Sequence, residues 1–145
     1  MRLLIAIFLS LFATLAQAQT SVTTCYTTNG TNCTPGIQAS SSVVISISTA
    51  TTTELVALSA SKSIFVTSWD IIAGGTGNFT LVYGSGTNCG TGTTSLTGAY
   101  PLTAQAGISK GTGTGVVLIV PKGKALCATT SQAVQMSGSV SYVQF

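Results

Sequence analysis

The chain has 145 residues, four cysteines and no histidine, with five Lys and Arg side chains against two Asp and Glu. Without histidine, Ser-His-Asp and Cys-His catalytic arrangements and the common zinc sites cannot be built. Arg2 is the only arginine, so no basic stripe exists to follow a phosphate backbone, and nucleic-acid binding is excluded.

The first eighteen residues carry Arg2, an apolar run from Leu3 to Phe12 and then Ala16-Gln17-Ala18. A basic start, a short apolar core and small residues at a cleavage point make a secretory signal peptide, with the mature chain beginning at Gln19. No cysteine directly follows the apolar core, which speaks against a lipoprotein. The expected location is secreted or extracytoplasmic (periplasm, cell surface or virion), where cysteines oxidise. The longest later apolar run, Val116 to Val120, is far short of the roughly 20 residues of a membrane helix, so no stable span is expected after cleavage.

Residues 19–42 are polar and turn-rich, holding Asn29-Gly30, Pro35-Gly36, Cys25 and Cys33; they read as an N-terminal arm closed by a local disulfide. Residues 43–145 read as one β domain. Strand signals follow at Val43 to Ser48, Leu55 to Leu58, Ser63 to Ile72, Asn78 to Tyr83, a weak pair within Ser95 to Leu102, Val116 to Val120, Ala125 to Thr129 and Ala133 to Phe145. Gly74-Gly75, Gly84-Ser85-Gly86, Gly90-Thr91-Gly92 and Pro121-Lys122-Gly123 separate them with turn chemistry. The last stretch alternates Val134, Met136, Gly138, Val140 and Tyr142 with Gln135, Ser137, Ser139 and Ser141, the period of a half-buried strand. The fold class is therefore all-β: an antiparallel sandwich, jelly-roll-like, in a single domain.

Four cysteines allow three pairings; proximity favours Cys25 with Cys33, and strand placement favours Cys89 with Cys127. The second bridge would tie the Gly84 to Thr94 loop to a later strand. The repeated G-T-N-C, at Gly30 to Cys33 and Gly86 to Cys89, has no longer similarity around it and reads as coincidence. Gly111 to Gly115 lacks the spacing and following helix of a nucleotide loop and reads as a hairpin loop. The sequons at Asn29, Asn32 and Asn78 would accept glycans only in a eukaryotic secretory route.

Glu54 and Asp70 are the only carboxylates, and each reads as a solvated residue at a strand end instead of half of a catalytic pair. A calcium site from Asp70, Asn78 and carbonyls is poor for a hard cation, and no metal or cofactor is expected. Trp69 shares a parity with Phe65 and Ile71 and reads as core; Tyr100, beside Pro101, reads as a loop residue able to stack on a sugar ring. A glycan site would use Tyr100 or Trp69 with Asn78 and Gln105 as hydrogen-bonding partners.

The runs LVYGSGTNCGTGTT at Leu81–Thr94, LTGAYPL at Leu96–Leu102, GKALC at Gly123–Cys127 and VQMSGSVSYVQF at Val134–Phe145 resemble small β-rich proteins of tailed bacteriophages and environmental viral genomes. The resemblance covers about Ser61 to Phe145 and implies a virion-associated or structural β-sandwich, not an activity. Two functions are expected from different classes. One is a non-enzymatic structural protein acting by assembly or surface attachment, a homo-oligomer or a partner of virion or cell-surface proteins, with Ala133 to Phe145 as an edge or intersubunit strand. The other is a carbohydrate-binding module for surface glycans.

Overall fold

Threonine-, valine- and isoleucine-rich segments broken by glycine favour short pleated strands over helices, and ten strands form in a computed structural model that describes residues 37–111 and 115–145. The leader, the Cys25–Cys33 arm with its sequons and part of the Gly111 to Gly115 loop lie outside the described residues. The strands are β1 Ser41–Ile47, β2 Thr52–Val56, β3 Ile64–Ala73, β4 Gly77–Ser85, β5 Thr91–Ser95, β6 Tyr100–Leu102, β7 Gly107–Gly111, β8 Leu118–Val120, β9 Ala125–Thr130 and β10 Met136–Gln144. One sheet runs β1-β10-β3 with β7 and β8 sharing the far side of β3; the other runs β2-β9-β4 with β5 and β6 sharing the far side of β4.

All the pairings are antiparallel, and six of them are nested, β1 with β10, β2 with β9, β3 with β7 and β8, β4 with β5 and β6, while β10 with β3 and β9 with β4 join these pairs into the two sheets. The chain is one long hairpin, its tip at the turn from β4 to β5, wrapped so that successive arms fall in opposite sheets. That is jelly-roll topology. Ile45, Ile64, Val66, Trp69, Ile71, Phe79, Leu81, Leu126, Met136 and Val140 fill the space between the sheets. The two buried hydroxyls are satisfied: Thr67 donates to the Ser141 carbonyl and Thr130 to the Thr49 carbonyl.

Three expectations are corrected. The first concerns β10, which lies between β1 and β3 and is paired on both sides, so it is the centre of its sheet and offers no free edge. Its serines face outward because that sheet face is open, not because the strand is marginal. Gly138 serves this central position, since a Cβ there would stand 2.0 Å from the Asp70 carbonyl oxygen.

The second correction concerns β3. Ser141 of β10 pairs with Ser68 while Tyr142 pairs with Val66, leaving Thr67 as a bulged extra residue. The bulge reverses the inward phase: Ile64 and Val66 are buried before it, Trp69, Ile71 and Ala73 after it. Phe65 therefore does not share a face with Trp69; it turns outward and stacks on Phe145, ring centroids 4.7 Å apart. Asp70 lies within the strand, on its outer face, and accepts a hydrogen bond from Ser139.

The third concerns strand boundaries. β7, in a Gly-Ile-Ser-Lys-Gly segment with little strand propensity, forms because the outer edge of β3 is there to pair with. Thr91 and Gly92, expected in a turn, belong to β5, and Tyr100 belongs to β6 instead of a loop. β1 begins at Ser41, inside the stretch assigned to the arm.

Candidate functional site: a capped sheet, an edge cleft and an open edge

The outer face of the β2-β9-β4-β5 sheet carries a small core of its own. Cys127, Val82 and Ala125 point outward from β9 and β4, where they would meet water. Instead the segment after β4 folds back over them through a 3-10 turn, Thr87–Cys89, and Cys89 is bonded to Cys127 with both residues fully buried. The fold-back depends on backbone geometry: Gly86, Asn88 and Cys89 have positive φ, and a Cβ on Gly84 would stand 2.6 Å from the Cys89 carbonyl oxygen. Asn88 Oδ1 accepts from the Glu54 N–H at 3.2 Å, joining the loop to β2. The expected Cys89–Cys127 bridge is thus present, and it is compatible with an oxidising extracytoplasmic location. Glu54 lies within β2, exposed.

A cleft opens at the edge of the sandwich where both outer strands are interrupted. β7 gives way to β8 opposite Thr67, and β5 gives way to β6 opposite Leu81. Thr97 stitches the second gap: its Oγ1 accepts from the Leu81 N–H at 3.0 Å. Between the two breaks, Trp69, Thr97, Tyr100, Lys110, Gly111, Val117 and Leu118 line a cleft of about 200 Å³. Trp69 forms its floor at 2% exposure, its ring centroid 5.6 Å from Tyr100 and 6.0 Å from Phe79. The two aromatics expected of a glycan site are brought together, but Trp69 is packed as core and offers no open platform.

The hydrogen-bonding partners proposed for them are elsewhere. Asn78 is outward-facing on β4, next to buried Phe79, and its backbone N–H bonds Ser131 Oγ at 2.8 Å. Gln105 holds a left-handed position, φ 65°, in the turn before β7, its N–H donating to the Ala73 carbonyl at 2.7 Å. Lys110 and Thr97 supply the cleft's polar groups instead. Lys110 could have been found from the sequence only by knowing that β7 exists. Among the described residues no three His, Cys, Asp or Glu side chains gather as a metal site, and no helix is long and apolar enough to cross a membrane.

No family model, curated protein or solved structure matches the chain. The site must therefore be read from its chemistry.

The four sheet edges differ sharply in protection. β7 and β8 are short, and β7 carries Lys110 with Gly107 and Gly111; β5 and β6 are short, with Gly92 and Pro101. β2 has Glu54 and a register break between Glu54 and Val56. Short strands, charges, proline and bulges are the usual devices that stop edge pairing. β1 has none of them. Its sequence, Ser-Ser-Val-Val-Ile-Ser-Ile, is uncharged, free of Gly and Pro, and pairs with β10 through seven consecutive residues without a break. Its other side has no strand partner among the described residues. Val44, at its midpoint and facing outward, is 73% exposed, the most exposed large apolar residue described.

Proposed function

We propose that this protein is a non-enzymatic extracytoplasmic or virion-associated structural β-sandwich that acts by assembly or surface attachment. The observation that carries the reading is the β1 edge, unpaired among the described residues and free of charge, Gly and Pro, on a domain whose other described edges are interrupted or charged. A strand of this kind is a template for main-chain pairing with another protein. The low charge supports the same reading, since four lysines and two carboxylates after residue 18 give little self-repulsion to hold copies apart. The resemblance to small phage-encoded β proteins points the same way. For the test, the chain is expressed with its leader, the product's N-terminus is sequenced, and its mass is followed by light scattering. A product starting at Gln19 that forms a defined oligomer, or that co-sediments with particles or cell envelopes, is expected. An uncleaved chain, or a strict monomer bound to neither at any concentration, overturns the proposal.

A second reading, a carbohydrate-binding module, is favoured by the Trp69–Tyr100 pair at the edge cleft. Asn78 and Gln105 drop out of it, leaving Tyr100 as the stacking ring with Lys110 and Thr97 beside it. A cleft of this volume suits one sugar ring at most, below the ordinary range of ligand pockets. Binding on an array of bacterial surface glycans that Tyr100→Ala abolishes would establish it, and an empty array would remove it.

A further inference from the structure

The β1 edge carries more than a general readiness to pair, because its sequence is self-complementary. Laid antiparallel on its own copy about Val44, the strand matches Val44 with Val44, Val43 with Ile45, Ser42 with Ser46 and Ser41 with Ile47. The alternation of faces survives this match. Ser42, Val44 and Ser46 lie on the exposed face of the sheet, while Val43, Ile45 and Ile47 point toward the core. Each outward serine meets a serine, each inward aliphatic meets an aliphatic except at the two ends, and no charge is set against another.

We propose that β1 is the interface for a second copy of this chain, pairing antiparallel with its own copy about a two-fold axis at Val44. This rests on the assembly reading above and names its partner. The contact is isologous and closes on itself, so it gives a dimer and not an open fibre. It joins the β1-β10-β3 sheets of two copies into one continuous sheet and covers Val44, which the isolated domain leaves in water. Small serines on the neighbouring strand, exposed Ser137 opposite Ser46 and half-buried Ser139 opposite Val44, leave room beside the axis. A copy is a better occupant than a charged partner strand because β1 presents no charged group for such a strand to meet.

The experiment uses the chain from Gln19 onward. Residues opposite one another in antiparallel strands have Cα atoms about 4.5–5.5 Å apart, within disulfide reach. Val44→Cys should therefore cross-link to itself under mild oxidation. Ser42→Cys and Ser46→Cys should not self-link, because each would be displaced from its own copy by roughly 13 Å along the strand, yet a mixture of the two should link. Val44→Lys, at an exposed site, should keep a cooperative melt, with a melting temperature that no longer rises with protein concentration, while converting the dimer to monomer in light scattering. If the parent is an oligomer that Val44→Lys leaves intact, the interface lies elsewhere and this proposal fails while the assembly reading stands. If Val44→Lys dissociates the oligomer but Val44→Cys links no faster than Ser42→Cys, the two-fold register is wrong and this proposal fails. A parent that is monomeric at every concentration overturns both.

Discussion

Removing the Cys89–Cys127 bridge should cost this fold about 4 kcal/mol. The estimate comes from the 38-residue separation of the two cysteines, for which the loop-closure entropy of the unfolded chain gives close to that value at room temperature. The interval spans β5 to β8 and the strand-poor loops between them, where short strands contribute little burial. For a domain of this size the loss corresponds to a fall in melting temperature of roughly 15 °C. Cys89→Ala, Cys127→Ala and the double variant should all lose nearly the same amount, since either substitution breaks the one bond and the effects cannot add. Urea titration of the three variants and the parent gives the free energies. Hydrogen exchange locates the damage: the Glu54, Cys89 and Gly90 amides, bonded to Asn88, Gly86 and Thr87, should lose protection first. Amides of β3 and β10 should keep theirs. A double variant with an unchanged urea midpoint, or additive losses in the single variants, would refute the argument that the bridge acts by closing this loop.

Gly138→Ala should destabilise by more than the 1–3 kcal/mol usual for overpacking, because the new methyl meets the Asp70 carbonyl and the Ile71 Cα between two central strands that cannot move apart; denaturant titration measures it. Thr67→Ala should forfeit about 1–2 kcal/mol of hydrogen bonding, read in the same titration. Deleting Thr67 removes only the bulged residue, after which Ile64, Val66, Trp69 and Ile71 alternate regularly on the register that β10 already sets, so soluble yield and near-UV circular dichroism should be retained. Trp69→Ala should cost about 3–5 kcal/mol as a fully packed aromatic, whereas Tyr100→Ala, at the half-buried lip of the cleft, should cost less in the same titration. Removing Val140 to Phe145 should abolish folding, as judged by loss of the cooperative melt, because it takes away the strand that joins β1 to β3.

What the sequence disclosed follows from where local pattern dominates. The alternation of Met136, Gly138, Val140 and Tyr142 gave the faces of β10 correctly, since a period of two is a property of the strand itself. Its place in the sheet is not such a property: whether a strand is central or at an edge depends on partners about 70 and 100 residues away in the chain. The same limit hid the Thr67 bulge, which has no residue signature and lies in the β3–β10 ladder where the other edge of β3 changes partner from β8 to β7. It also hid β7, whose Gly-Ile-Ser-Lys-Gly composition reads as loop until an open edge is placed beside it. The disulfide was legible because its two cysteines stand in segments of clear character, a turn-rich loop and an apolar strand. For the glycan candidates, residue type was right and geometry was not: Asn78 and Gln105 can hydrogen-bond a sugar, but strand parity turns one away from Trp69 and a turn carries off the other.

The nested pairing of strands has a consequence for the order in which the fold can be made. β1 emerges from the ribosome well before its partner β10, the last of the described strands, with β2 waiting likewise for β9. Only the innermost arms, β4 with β5 and β6, can close a short loop, and they are followed by β3 with β7 and β8. Folding should thus zip from the hairpin tip outward and finish slowly, as expected where contacts are distant in the chain. Until β10 arrives, β1 and β3 both stand open in a nascent chain with few charges to keep it apart from its neighbours. Such a chain is open to aggregation during synthesis, and its yield should fall steeply as expression rate rises.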